Sequence, residues 1–153
     1  MKKLLILLPL ALLFVMCKSK TTAKATPKDY IIYSDNFKGA TDAQKNNFLK
    51  GLDATDENYS VLMLTKNFIG AEITVTTDGK QVYKGYPISD KKLGLAETIR
   101  ISNTADTEVY DSYTKQKMVL EQKDTKKYKF IYMARSGAKQ VPFKVMYSNK
   151  LRK

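Results

Sequence analysis

No histidine and no tryptophan occur in this chain, and its single cysteine is Cys17. Each absence closes a class of chemistry. Without histidine, the commonest general base and every Ser-His or Cys-His nucleophile arrangement are missing. Zinc, copper and haem sites of the ordinary kind lose their usual ligands, and no cofactor is expected. A lone cysteine cannot close an intramolecular disulfide, so an exported domain would have to rely on its own core. No glycine-rich phosphate loop is present either. Acidic residues are also scarce, with 15 against 27 lysines and arginines and a formal net charge of +12.

The N-terminal stretch is the most specific pattern present. Lys2 and Lys3 precede thirteen uncharged apolar residues, 4–16, and the run ends at Cys17. A basic start followed by an apolar run of this length is the pattern of a secretory signal peptide. The run falls short of the roughly 20 residues that a membrane-spanning helix needs. Within it, Leu12-Leu13-Phe14-Val15-Met16-Cys17 resembles the lipobox of bacterial lipoproteins, with Phe14 in place of the common leucine and Met16 where a small residue is usual. The resemblance implies removal of residues 1–16 and a diacylglyceryl thioether on Cys17, which would anchor the mature chain in a membrane. In enteric lipoproteins an aspartate after the cysteine retains the protein at the inner membrane. Lys18 stands at that place, so the resemblance implies the periplasmic side of an outer membrane, where the organism has one. The competing expectation is a soluble secreted protein cleaved after Ala23-Lys24-Ala25, an A-x-A match that lies behind three lysines.

Beyond the anchor, residues 17–28 read as the lipidated cysteine and a flexible basic linker, and 29–153 as one domain with one core. The eleven residues 18–28 carry four lysines and no acid, and span at most roughly 40 Å when extended. Residues 29–114 carry nine basic and thirteen acidic groups, whereas 115–153 carry twelve and two. The C-terminal third is therefore strongly basic and the middle mildly acidic.

The domain pattern is mainly β. Residues 30–33 form a short β-prone run. A short helix is expected over 42–52, capped by Thr41 or Asp42 and packed over one end of a sheet by Phe48, Leu49 and Leu52. Residues 59–64 are apolar on both faces, as in a central strand. Residues 72–76 alternate and enter Asp78-Gly79, a type I′ hairpin signal that sets Val75 opposite Val82. Gly85, Pro87 and Gly94 punctuate a loop around Asp90-Lys91-Lys92. Further strands are expected at 98–103, 108–110, 117–121, 128–134 and 141–147, with a polar turn over 123–126. Pro142 cannot donate a ladder hydrogen bond, which argues for an edge position or a bulge in the last strand. Seven or eight short strands with one short helix predict a two-layer antiparallel β-sandwich, loosely immunoglobulin- or transthyretin-like, with a small barrel as the alternative.

Candidate chemistry is thin. Ser89-Asp90-Lys91-Lys92 matches S-x-x-K, but no K-T-G accompanies it and it does not open a helix. Asp53, Asp56 and Glu57 offer the oxygen ligands that calcium takes, without EF-hand spacing or its glycine, and read as a solvated loop. Asp106, Glu108 and Asp111 read the same way. The better candidate is the basic third. Lys126, Lys127, Lys129, Arg135, Lys139 and Lys144 fall on consecutive strands and turns, where shared outward faces would attract anionic lipid, glycolipid or wall polymer. The competing expectation is a solubilising surface. Tyr128, Phe130 and Tyr132 interleave with these lysines, yet alternation makes the rings core, so nucleic acid is not the expected partner. The expected role is a non-catalytic envelope binding or structural module contacting such a polymer or a protein partner. An enzyme or enzyme-inhibiting domain is the alternative.

Overall fold

The computed structural model describes residues 30–138 and 141–153. The signal stretch, Cys17, the linker and Lys139 lie outside the described residues. The strands are β1 (Ile31–Tyr33), β2 (Tyr59–Leu64), β3 (Ile73–Thr77), β4 (Lys80–Gly85), β5 (Glu97–Ser102), β6 (Thr107–Asp111), β7 (Gln116–Leu120), β8 (Phe130–Arg135) and β9 (Phe143–Ser148). The helices are α1 (Asp42–Gly51) and α2 (Gln122–Lys127). The strands form a β-sandwich of a five-stranded sheet, β1-β9-β8-β2-β5, over a four-stranded sheet, β4-β3-β6-β7. All neighbours are antiparallel except β1 with β9 and β2 with β8. No helix among the described residues is long and apolar enough to cross a membrane.

Burial explains the two-sided apolar strand. Leu62 and Leu64 of β2 face the sandwich interior with Ile99, Ile101, Ile131, Met133, Phe143, Val145 and Tyr147, against Ile73, Val75, Val109, Met118 and Leu120 of the other sheet. Val61 and Met63 face outward, where α1 covers them together with Phe130, Tyr132 and Leu151. A strand buried on both faces needs apolar residues at every position, as β2 has. The helix thus lies over the outer face of the five-stranded sheet. It begins with a capping box: Gln44 N donates to Thr41 Oγ1 at 3.3 Å, and Thr41 N donates to Gln44 Oε1 at 3.0 Å.

Four local expectations change. The hairpin at Asp78-Gly79 has positive φ at both residues, +50° and +68°, but a bulge after Val75 pairs that residue with Tyr83 and leaves Val82 exposed. The polar turn over 123–126 is instead α2. Its first turn is capped from a distant loop, since Gln122 N donates to Asp106 Oδ1 at 2.7 Å, and no local cap signals it. The last strand is not an edge: β1 pairs along its outer side, and Pro142 precedes the strand, where its carbonyl accepts from Ser136 N. Phe130 and Tyr132 are buried, as alternation requires, but under α1; Tyr128 turns toward the interior beside Tyr33 and Tyr147.

Strand directions define two ends. At the loop end lie residues 65–70, 86–94 and the 112–115 turn. At the α2 end lie α2, the 78–79 hairpin and the segment leaving β9.

Candidate functional site

The five described basic candidates do not form one surface. Lys126 and Lys127 are exposed in the last turn of α2, and Lys127 Nζ sits 5.4 Å from the Tyr128 ring centroid. Lys129, two residues on, turns inward: its Nζ donates to the carbonyls of Asp56 at 2.7 Å and Tyr59 at 2.8 Å. Burial lowers its pKa below the ordinary lysine value, opposed by Asp56. Lys129 therefore ties the 53–58 loop to the sheet. Lys144 is exposed near the opposite end of β9, with Nζ 5.9 Å from the Tyr30 ring.

Arg135 sits at the far end of β8 and is buried. Its guanidinium donates to Asp111 Oδ2 at 2.7 Å, joining the two sheets, and lies 5.1 Å from the Tyr113 ring. Asp111 also accepts from Tyr113 N at 2.9 Å. A guanidinium so engaged is not available to an external anion. The reason is pattern: both residues occupy positions that alternation turns inward, and each neutralises the other across the core.

Four of the six acidic candidates are likewise engaged, Asp111 with Arg135 as above. Asp53 pairs with Arg100 at 2.6 Å, Glu108 with Lys117 at 2.7 Å, and Asp106 caps α2. Among the described residues no group of three or more His, Cys, Asp or Glu is arranged to hold a metal ion. In the S-x-x-K match, Ser89 Oγ donates to the Thr65 carbonyl at 2.6 Å and accepts from Phe68 N at 2.9 Å. Ser89 thereby stitches two loops, and Lys92 projects outward beyond it.

Those two loops hold what residue types alone did not single out. Residues 65–70 and 86–94 are further joined by Ser89 N to the Phe68 carbonyl (3.0 Å), Gly70 N to the Pro87 carbonyl (2.9 Å) and an antiparallel bridge between Ile69 and Ile88. Asp90 closes the tip: its Oδ1 accepts from Lys92 N at 2.7 Å and Leu93 N at 2.6 Å. On this frame Ile69, Ile88 and Leu93 are 68%, 69% and 76% exposed. Lys66, Lys91 and Lys92 are exposed beside them, with Asp90 as the only acid of the two segments. The sequence carried one signal, the loop punctuated by Gly85, Pro87 and Gly94 around Asp90-Lys91-Lys92. That Ile69 comes from a second loop joined to it is a tertiary fact.

No protein-family model matches the chain, and comparison with curated proteins returns no match.

Proposed function

We propose that this chain is a lipid-anchored envelope protein whose β-sandwich binds rather than catalyses. Cys17 carries the diacylglyceryl anchor, residues 18–28 form a short basic tether, and the domain works beside an anionic surface of lipid, glycolipid or wall polymer. The observation that carries the reading is the position of the only cysteine, directly at the end of an apolar run led by two lysines. Two features support the binding half. Histidine is absent from the whole chain, and four of the six carboxylates first weighed as ligands, Asp53, Asp106, Glu108 and Asp111, are engaged in ion pairs or a helix cap. The basic tether and the exposed lysines favour an anionic neighbour through the field they sum to.

Intact mass of the membrane-extracted protein tests the anchor. The expected species begins at Cys17 and carries a diacylglyceryl adduct, which Cys17→Ser abolishes. A soluble product beginning at Thr26 would sink the proposal.

A further inference from the structure

We infer that the loop end of the sandwich is a membrane-docking tip, laying Ile69, Ile88 and Leu93 into the surface of an anionic bilayer while Lys66, Lys91 and Lys92 meet its headgroups. The choice of the bilayer that holds Cys17 rests on the lipid-anchor proposal above; the affinity of the tip for an anionic bilayer does not.

Single exposed apolar side chains need no explanation, whereas a concentration of them does. Among the described residues, nine large apolar or aromatic side chains are exposed, and five of them are at the loop end: Ile69, Tyr86, Ile88, Leu93 and Tyr113. They are presented, not left loose, because both loops are stitched by Ser89 and the tip is closed by Asp90. Tyr86 and Tyr113 have partners within the fold, Glu72 and Arg135, whereas Ile69 stands exposed directly after Phe68, which is buried and stacks on Phe143 at 6.2 Å. Aliphatic tips ringed by lysine suit a partner that is apolar inside and anionic at its surface. A bilayer interface has that layering, with lysine ammonium groups staying at headgroup depth.

The tether selects the bilayer over other occupants. Register places Ile31 beside Val145, Val145 beside Met133, and Met133 beside Leu64, so these four form one row across the five-stranded sheet. Since β1 is parallel to β9 and antiparallel in direction to β2, the chain enters β1 from the end at which β2 leaves for residues 65–70. The row spans three strand spacings, roughly 14 Å. Thus the segment following Cys17 joins the domain at its apolar, basic end. A tether of at most roughly 40 Å, itself bearing four lysines, holds that end toward the membrane.

The test is an environment-sensitive fluorophore on Leu93→Cys and, at the opposite end, on Asp78→Cys. Both are made in the otherwise intact mature chain, once with Cys17→Ser and once lipidated, with circular dichroism to confirm folding. With vesicles of phosphatidylethanolamine and phosphatidylglycerol, emission from position 93 should shift to the blue and that from position 78 should not. Neutralising Lys66, Lys91 and Lys92 to Gln should lower partitioning of the unlipidated chain about 100-fold, at roughly fivefold per lysine. Ile69→Ser with Ile88→Ser should remove the blue shift at position 93. A shift at 78 without one at 93 overturns the proposal, as does a polar signal at 93 in both lipidated and unlipidated forms. So does a concentration-dependent dimer that Ile88→Ser dissolves, because the occupant would then be a second copy. A chain processed at Ala25 that still docks by position 93 refutes the anchor and keeps the tip; a chain lipidated at Cys17 whose position 93 stays polar both with and without the lipid does the reverse.

Discussion

At the α2 end, Lys129 donates to two backbone carbonyls, Lys150 donates to the Asp35 carbonyl at 2.8 Å, and Lys123 pairs with Glu121. At the loop end, Lys66, Lys91 and Lys92 make no ion pair among the described residues; Lys84 pairs with Glu72 at 3.4 Å, and the Asp111–Arg135 pair is buried beneath them. Both ends are basic by count, but much of the charge at the first is engaged within the fold while the second presents its charge outward. A tally of lysines along the chain therefore locates positive charge without locating free positive charge. The two ends also differ in what exposure does for stability. The α2 end is held by partly solvated polar contacts, so its surface residues contribute to folding. The loop end is held by the buried Asp111–Arg135 pair and by the Ser89 and Asp90 hydrogen bonds of its two loops, which leaves the side chains of Ile69, Ile88 and Leu93 at liberty for contact with something else.

The largest break in this contrast is expected at the inner ion pair. Asp111→Ala leaves a buried guanidinium without its counter-charge and should cost about 3–5 kcal/mol in urea unfolding. A double replacement, Asp111→Leu with Arg135→Met, should recover most of that loss, because the desolvation of both charges disappears. At the opposite end, Asn103→Ala removes Nδ2 donation to the Glu57 carbonyl (2.8 Å) and to Ser60 Oγ (3.2 Å), and should cost about 1–2 kcal/mol by the same measurement.

Acid should loosen the contacts of Asp35 at the α2 end. Asp35 accepts hydrogen bonds from Ser148 Oγ and from Asn149 N, and these, with the nearby Lys150, hold its pKa below the ordinary 3.8. A depressed carboxylate contributes stability that is present above the unfolded value and is lost as pH falls through the folded one. The unfolding midpoint should therefore decline below pH 3.8 in the native chain and decline less in Asp35→Asn. The smallest effect on stability is expected at the tip. Ile69→Ser, Ile88→Ser and Leu93→Ser should each stay within about 0.5 kcal/mol of the parent by thermal unfolding, since all three are already in water. A larger loss would mean that these side chains serve the fold, and the contrast between the ends would collapse.

Much of the architecture follows from pattern along the chain. The two-sided apolar run at 59–64 marks β2 as central, the Asp78-Gly79 pair dictates a hairpin with positive φ at both positions, and Thr41 with Gln44 sets where α1 begins. Each of these depends on residues within a few positions of one another, so local chemistry suffices. The binding-patch candidates fared differently, because a lysine or arginine reads the same whether it faces solvent, a carbonyl or a buried carboxylate. Lys126 and Lys127 are exposed, Lys129 is tied to Asp56 and Tyr59, and Arg135 is enclosed by Asp111. Nothing local to residues 126–135 distinguishes these fates, since the partners lie in other strands and loops.

What the sequence determined by itself is the mainly β character and the strand-by-strand alternation. Those rest on composition, on periods of two residues and on short spacings. Tertiary structure alone decided that β2 and β8 run parallel, that Asp106 caps a helix sixteen residues later, that Val82 sits on a bulge, and that Ile69 and Ile88 meet at one exposed end. Each of these joins segments through backbone or side-chain hydrogen bonds whose two halves carry no mark of one another in the chain, so only folding brings them into register.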